Sequence, residues 1–128
     1  LDYVLASLEQ RGRVDSEGLL LDEHGSVIEA TSANLFLVSR GELSTPTLNR
    51  CGVAGTMRRW IMEVAAPEMG LAINEGELSL DHLRDCDELF LCNSVRGVIP
   101  VAAFEDCHWR RGPITAALQT RVLKLFDA

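Results

Sequence analysis

Lysine is almost missing from this chain: Lys124 is the only lysine among 12 basic residues, which stand against 19 acidic ones for a formal net charge of −7. A surface for nucleic acid or for an anionic membrane asks for clustered Lys and Arg, so neither is expected as the main partner. No apolar run approaches the roughly 20 residues of a membrane-spanning helix, and no basic segment followed by an apolar core opens the chain as in an export signal. A cytoplasmic setting and small-molecule ligands are the expectation. The four cysteines, Cys51, Cys86, Cys92 and Cys107, include no C-x-x-C pair, and the three histidines are not spaced as companion ligands. No metal site is expected, and the cysteines read as free, mostly buried thiols. Repeats, low-complexity runs and linkers are also lacking.

What is present is 128 residues with 47% hydrophobic content, enough for one compact domain over residues 1–128 and too few for two ordinary ones. The opening LDYVLASLEQ carries Leu1, Val4, Leu5 and Leu8 at helical spacing with nothing before Leu1 to cap it, and reads as a helix entered partway. GLLLDEHGSVIEA has a hairpin pattern, Leu19 to Leu21 and Val27 to Ile28 around a turn at His24 and Gly25. NLFLVSRGELSTP gives a strand, a turn at Arg40 and Gly41, and a short strand ending at Pro46. An amphipathic helix follows from about Thr56 to Ala66, closed by Pro67 and Gly70. LAINEGEL is a strand, Ser79 is placed to cap the short helix LDHLRD, and two strands flank a polar break at Asn93 to Gly97. Pro113 suits the first turn of a last helix, whose apolar stripe Leu118, Val122 and Leu125 should face the core and turn Lys124 outward. Hairpins with inserted helices give an α+β or α/β class with a largely antiparallel sheet or barrel.

Three places carry candidate chemistry, each with a plainer reading beside it. In CGVAGTMRR, Gly52 and Gly55 stand directly before a helix, where unpaired N–H groups and the positive dipole end make an anion site, although such turns are also common as plain connections. Of Arg58 and Arg59, one is expected to face solvent. In LCNSVRGVIP, a strand breaks into Asn93 and Ser94, a polar loop at a sheet edge that serves equally as a simple turn. Glu29 stands in VIEATSANLFLV where a strand would take an apolar residue; a lone acid there is ordinarily exposed, because burying it unpaired is costly.

Taken together and in this order, VIEATSANLFLV, LNRCGVAGTMRRW and ELFLCNSVRGVIPV resemble the fold type IV family of pyridoxal-phosphate enzymes, over roughly Leu1 to Val101. That family holds branched-chain and D-amino-acid aminotransferases and 4-amino-4-deoxychorismate lyase. The resemblance implies pyridoxal 5'-phosphate as cofactor, with Glu29 on its pyridine nitrogen and Thr31 and Ser32 supporting that acid. It implies that the backbone N–H groups of Thr56 and Met57, after Gly55, hold the phosphate, with the Thr56 hydroxyl as a further donor. Val53 would pack on the ring face, and Asn93 and Ser94 would form the second phosphate-contacting loop. The loop Cys92, Asn93, Ser94 looks most like the lyase, since the aminotransferases tend to carry a Thr- or Gly-rich loop there. The implied reaction is conversion of aminodeoxychorismate to 4-aminobenzoate and pyruvate for folate biosynthesis, with amino-group transfer as the alternative. A binding or assembly module without chemistry is the reading from another class.

The family's Schiff-base lysine belongs upstream of Leu1, in or near an N-terminal domain, and Lys124 on the terminal helix is expected to be solvated. The chain therefore reads as a C-terminal, cofactor-cradling domain separated by truncation or proteolysis. As such it should be inactive alone and, in the full-length enzyme, part of a homodimer.

Overall fold

A computed structural model describes residues 2–10, 13–21, 25–30, 33–47 and 55–126. Among these, nine strands form one sheet in the order β3-β2-β1-β8-β7-β4-β5-β6, with β9 paired to β8. Strand β1 (Asp2–Gln10) pairs along its whole length with β2 (Arg13–Leu21), from Asp2 opposite Leu21 to Gln10 opposite Arg13. The opening segment is therefore a strand and not the expected helix. Its apolar spacing also contains a period of two: Ala6 and Leu8 are buried while Ser7 between them is partly exposed. The tertiary partners decide between the two periods, because β2 on one side and β8 on the other take up its backbone hydrogen bonds.

The hairpin from β2 to β3 (Val27–Ala30) forms as its sequence indicates, with Gly25 at φ +79 in the turn. Its register shifts, so that Leu20 faces Glu29 while Leu21 faces Val27. The extra residue is Ile28, a bulge immediately before the acid. Bulges re-aim the side chains beside them and recur near active sites.

Strands β4 (Asn34–Ser39) and β5 (Glu42–Pro46) join through Arg40 and Gly41, both at positive φ, the turn geometry that matches strand twist. β5 then pairs in parallel with β6 (Ile73–Gly76), and the crossover between them is helical. That crossover runs without a break through α1 (Thr56–Trp60), a π-helical turn (Ile61–Ala65) and α2 (Ala66–Met69). Pro67 does not end it, contrary to the sequence expectation. The π turn widens the ladder so that Ala66 N–H reaches back to Ile61 O, and Pro67 then stands in the first turn of α2, where a missing N–H costs little. Gly70 does close it: at φ 70 its N–H bonds Pro67 O, and Leu71 N–H bonds Ala66 O at 2.9 Å.

Ser79 caps α3 (Leu80–Asp85) reciprocally with His82. Strands β7 (Glu88–Asn93), β8 (Gly97–Phe104) and β9 (Cys107–His108) lead to α4 (Pro113–Phe126), which starts at the expected proline. The central strands are buried on both faces. Leu35, Leu37, Leu89 and Leu91 join one core cluster, while Phe36, Val38, Phe90 and Cys92 join the other, with Met57, Ile61, Leu118 and Val122 from the helices. This explains why NLFLV and ELFLC are unbroken apolar runs rather than alternating ones. Phe36 and Phe90 stack at 5.3 Å on the helix side. Lys124 is exposed, as expected, but Leu125 is 46% exposed and outside the core. Val122 already rests on Gly97 at the start of β8, and Leu125 lies one turn further along. The far ends of the sheet approach each other through a bridge in which Val27 N–H bonds Leu78 O at 2.7 Å, giving the sheet a barrel-like closure.

Candidate functional site

Asn34 is the node at which the three motifs meet. It opens β4 just after the VIEATSA stretch, it is 6% exposed, and it stands opposite Cys92 at the end of β7. Its Oδ1 accepts the N–H of Gly55 at 3.1 Å, immediately before α1. A Cβ at position 55 would come within 2.6 Å of the same Oδ1, so glycine is required here by the approach of Asn34. Sequence reasoning missed this residue; its one signal was a polar side chain at the head of an otherwise apolar strand.

The first turn of α1 is built on that contact. Gly55 is the N-cap, with φ −82 and ψ 157, and no side chain among the described residues caps the turn. The first intrahelical bond runs from Arg59 N–H to Gly55 O, which leaves the N–H groups of Thr56, Met57 and Arg58 as the usual orphan donors of a helix start. Thr56 is exposed and Met57 is buried in the helix-side core. Such a turn, open at its start and backed by a long helical run, has the donor chemistry that a phosphate monoester needs. The two arginines separate as expected. Arg59 faces solvent, 3.9 Å from Glu63, whereas Arg58 is buried and donates from Nη2 to Pro46 O and to Glu75 Oε2, each at 3.1 Å.

At the β7–β8 turn, Asn93 Oδ1 accepts the N–H groups of Val95 and Arg96 at 3.1 and 2.6 Å. Its carbonyl oxygen therefore shapes the turn, while Ser94 beside it is exposed. Cys92 next to them is fully buried, and burial pushes its thiol up to about 12, a shift opposed by the charge of Arg58. Cys86, Cys92 and Cys107 are free, and Cys51 lies outside the described residues. Of the other anticipated site residues, Thr31, Ser32 and Val53 lie outside the described residues. Glu29 is described in its backbone alone, as the β3 residue opposite Leu20. It stands five positions before Asn34, at most about 18 Å along a fully extended chain.

The sequence profile of the family described as amino-transferase class IV matches residues 1–104. An aminodeoxychorismate lyase of Vibrio harveyi is 39% identical over 102 residues, 80% of this chain and 37% of that protein. A branched-chain-amino-acid aminotransferase of Salmonella typhimurium is 31% identical over 129 residues, 98% of this chain and 41% of that protein. Among solved structures, 4-amino-4-deoxychorismate lyase from Pseudomonas aeruginosa superposes with a TM-score of 0.83 at 41% identity, covering 88% of this chain and 41% of that one. An aminotransferase from Brucella abortus bound to the co-factor PLP superposes at 0.81 with 26% identity, covering 88% of this chain and 40% of that one. The chain thus spans well under half the length of the relatives it matches. The chain belongs to the amino-transferase class IV family.

Proposed function

We propose that this chain is the cofactor-cradling, C-terminal part of a pyridoxal-phosphate-dependent 4-amino-4-deoxychorismate lyase, which forms 4-aminobenzoate and pyruvate for folate biosynthesis. The observation that carries the reading is the convergence on Asn34, which ties the acidic strand motif, the helix start and the β7–β8 turn to one place. The higher identity to lyases, 39% and 41%, supports the choice of reaction.

Pyridoxal phosphate, when bound, supplies an electron sink for a carbanion at the substrate carbon. The protein's own tasks are electrostatic and positional. The Glu29 carboxylate keeps a proton on the pyridine nitrogen, since a neighbouring negative charge favours the protonated ring. The N–H groups of Thr56 and Met57 bind the phosphate with the dipole of the helical run behind them, and the Thr56 hydroxyl is a further donor. In this reading Asn93 and Ser94 would contact the same group from the β7–β8 turn, Val53 would pack on the ring, and Thr31 and Ser32 would steady Glu29. The Schiff-base lysine lies upstream of Leu1 in this reading. A cytoplasmic setting and a homodimer go with it.

The aminotransferase alternative has one observation in its favour: the Salmonella typhimurium match extends over 98% of the chain, α4 included, against 80% for the lyase of Vibrio harveyi. The deciding experiment uses the polypeptide in which this chain follows its lysine-bearing segment. Release of 4-aminobenzoate from aminodeoxychorismate without any 2-oxo acid acceptor is the expected result. Amino transfer to a 2-oxo acid with no 4-aminobenzoate would establish the alternative.

A further inference from the structure

Arg58 is charged, yet only 7% exposed, and it occupies the third position of α1, directly after Thr56 and Met57. Its Nη2 donates both to the carbonyl of Pro46, the last residue of β5, and to Glu75 near the end of β6. These two strands are parallel, so both contacts fall at their carboxyl ends, the side of a parallel pair where ligands are ordinarily held. Stability is a poor explanation for such a residue. The pair with Glu75, whose side chain is 44% exposed, is half-solvated and gives little net stabilisation, and Nε, which is buried, finds no acceptor among the described residues. What the guanidinium does provide is geometry, because one side chain fastens the first helical turn to two strands at once.

We propose that Arg58 is a positioning residue for the phosphate cradle: through Pro46 and Glu75 it fixes the first turn of α1 on the carboxyl ends of β5 and β6, so that the N–H groups of Thr56 and Met57 are in place before the anion arrives. This rests on the cofactor reading above and adds to it a residue that touches neither cofactor nor substrate.

The test compares binding of pyridoxal phosphate and of pyridoxal, which lacks the phosphate, by the wild-type chain, Arg58→Met and Arg58→Lys. Thermal unfolding and amide hydrogen exchange are followed on the same samples. Losing a charge-assisted hydrogen-bond tie should cut the preference for the phosphorylated form about tenfold in Arg58→Met, while affinity for pyridoxal stays the same. Exchange at Arg59, whose N–H closes the first turn on Gly55 O, should quicken in that variant with no change along Ile61–Met69, and Arg58→Lys should restore most of both properties. If Arg58→Met does not fold, Arg58→Gln takes its place, keeping a donor for Pro46 and losing the pair with Glu75; a loss of about threefold is expected. A folded neutral variant with wild-type preference and wild-type exchange overturns the role of Arg58 and leaves the cofactor reading standing. A wild-type chain that does not distinguish pyridoxal phosphate from pyridoxal overturns the cofactor reading itself, and this inference with it.

Discussion

Cys92 shows how a single buried side chain writes itself into the pH dependence of the whole fold. Its thiol, fully buried among apolar neighbours, is raised from 9.0 to about 12 in the folded state. Between those values the unfolded chain gives up this proton and the folded chain keeps it, so unfolding becomes easier as pH rises. Below pH 9 the thiol contributes no slope; above it, stability should fall by up to roughly 1.4 kcal/mol per pH unit. Urea unfolding from pH 8 to 10.5 should show a shallower decline in Cys92→Ala than in the wild type, and equal slopes would contradict the assignment. Glu88 is also buried, its carboxylate accepting the N–H groups of Ile114 and Thr115 at the start of α4. A Cβ on Gly112 would collide with that carboxylate. Gly112→Ala should therefore cost about 1–3 kcal/mol in chemical denaturation, far more than the same change at Gly76, where a Cβ meets nothing. The motifs of the candidate site were legible in the sequence as a set, but the residue joining them was not. Asn34 matters through a contact 21 residues away, and Arg58 through partners 12 and 17 residues away, which no local pattern records.

At the scale of elements, local chemistry was readable wherever it acted alone. The turn at Arg40 and Gly41, the cap at Ser79, the stop at Gly70 and the start at Pro113 each follow from one or two residues. Ser79→Ala should lower stability by about 1 kcal/mol in thermal unfolding, because it removes the side-chain acceptor of the His82 N–H. Where two readings fitted one pattern, tertiary pairing decided. The first segment satisfies a helical period as well as a strand period, and becomes β1 because β2 and β8 lie on either side of it. The helical crossover outlasts Pro67 because a π turn comes before the proline, a feature without a sequence signature. Leu125 fits the apolar stripe of α4 by spacing, yet the packing surface beneath the helix ends near Gly97.

Over the whole molecule, the sheet does the positioning. Its central strands β7 and β4 are buried on both faces and set Asn93 and Asn34 at adjacent strand ends, while the bridge between Val27 and Leu78 draws the edge carrying Glu29 toward β6. In the complete enzyme, Glu29→Gln should keep its cofactor and lose most turnover, because a neutral amide cannot hold the pyridine nitrogen protonated; near-normal turnover would remove Glu29 from the site. The central claim is that the start of α1 and the β7–β8 turn together receive the phosphate of pyridoxal phosphate. The most direct measurement is a titration of the 14.1 kDa chain with that compound, followed residue by residue through its backbone amide resonances. The account predicts the largest saturable shifts at Gly55, Thr56, Met57 and Ser94, much reduced when pyridoxal replaces its phosphate ester. Saturable shifts centred elsewhere, with those four amides unmoved, would contradict it.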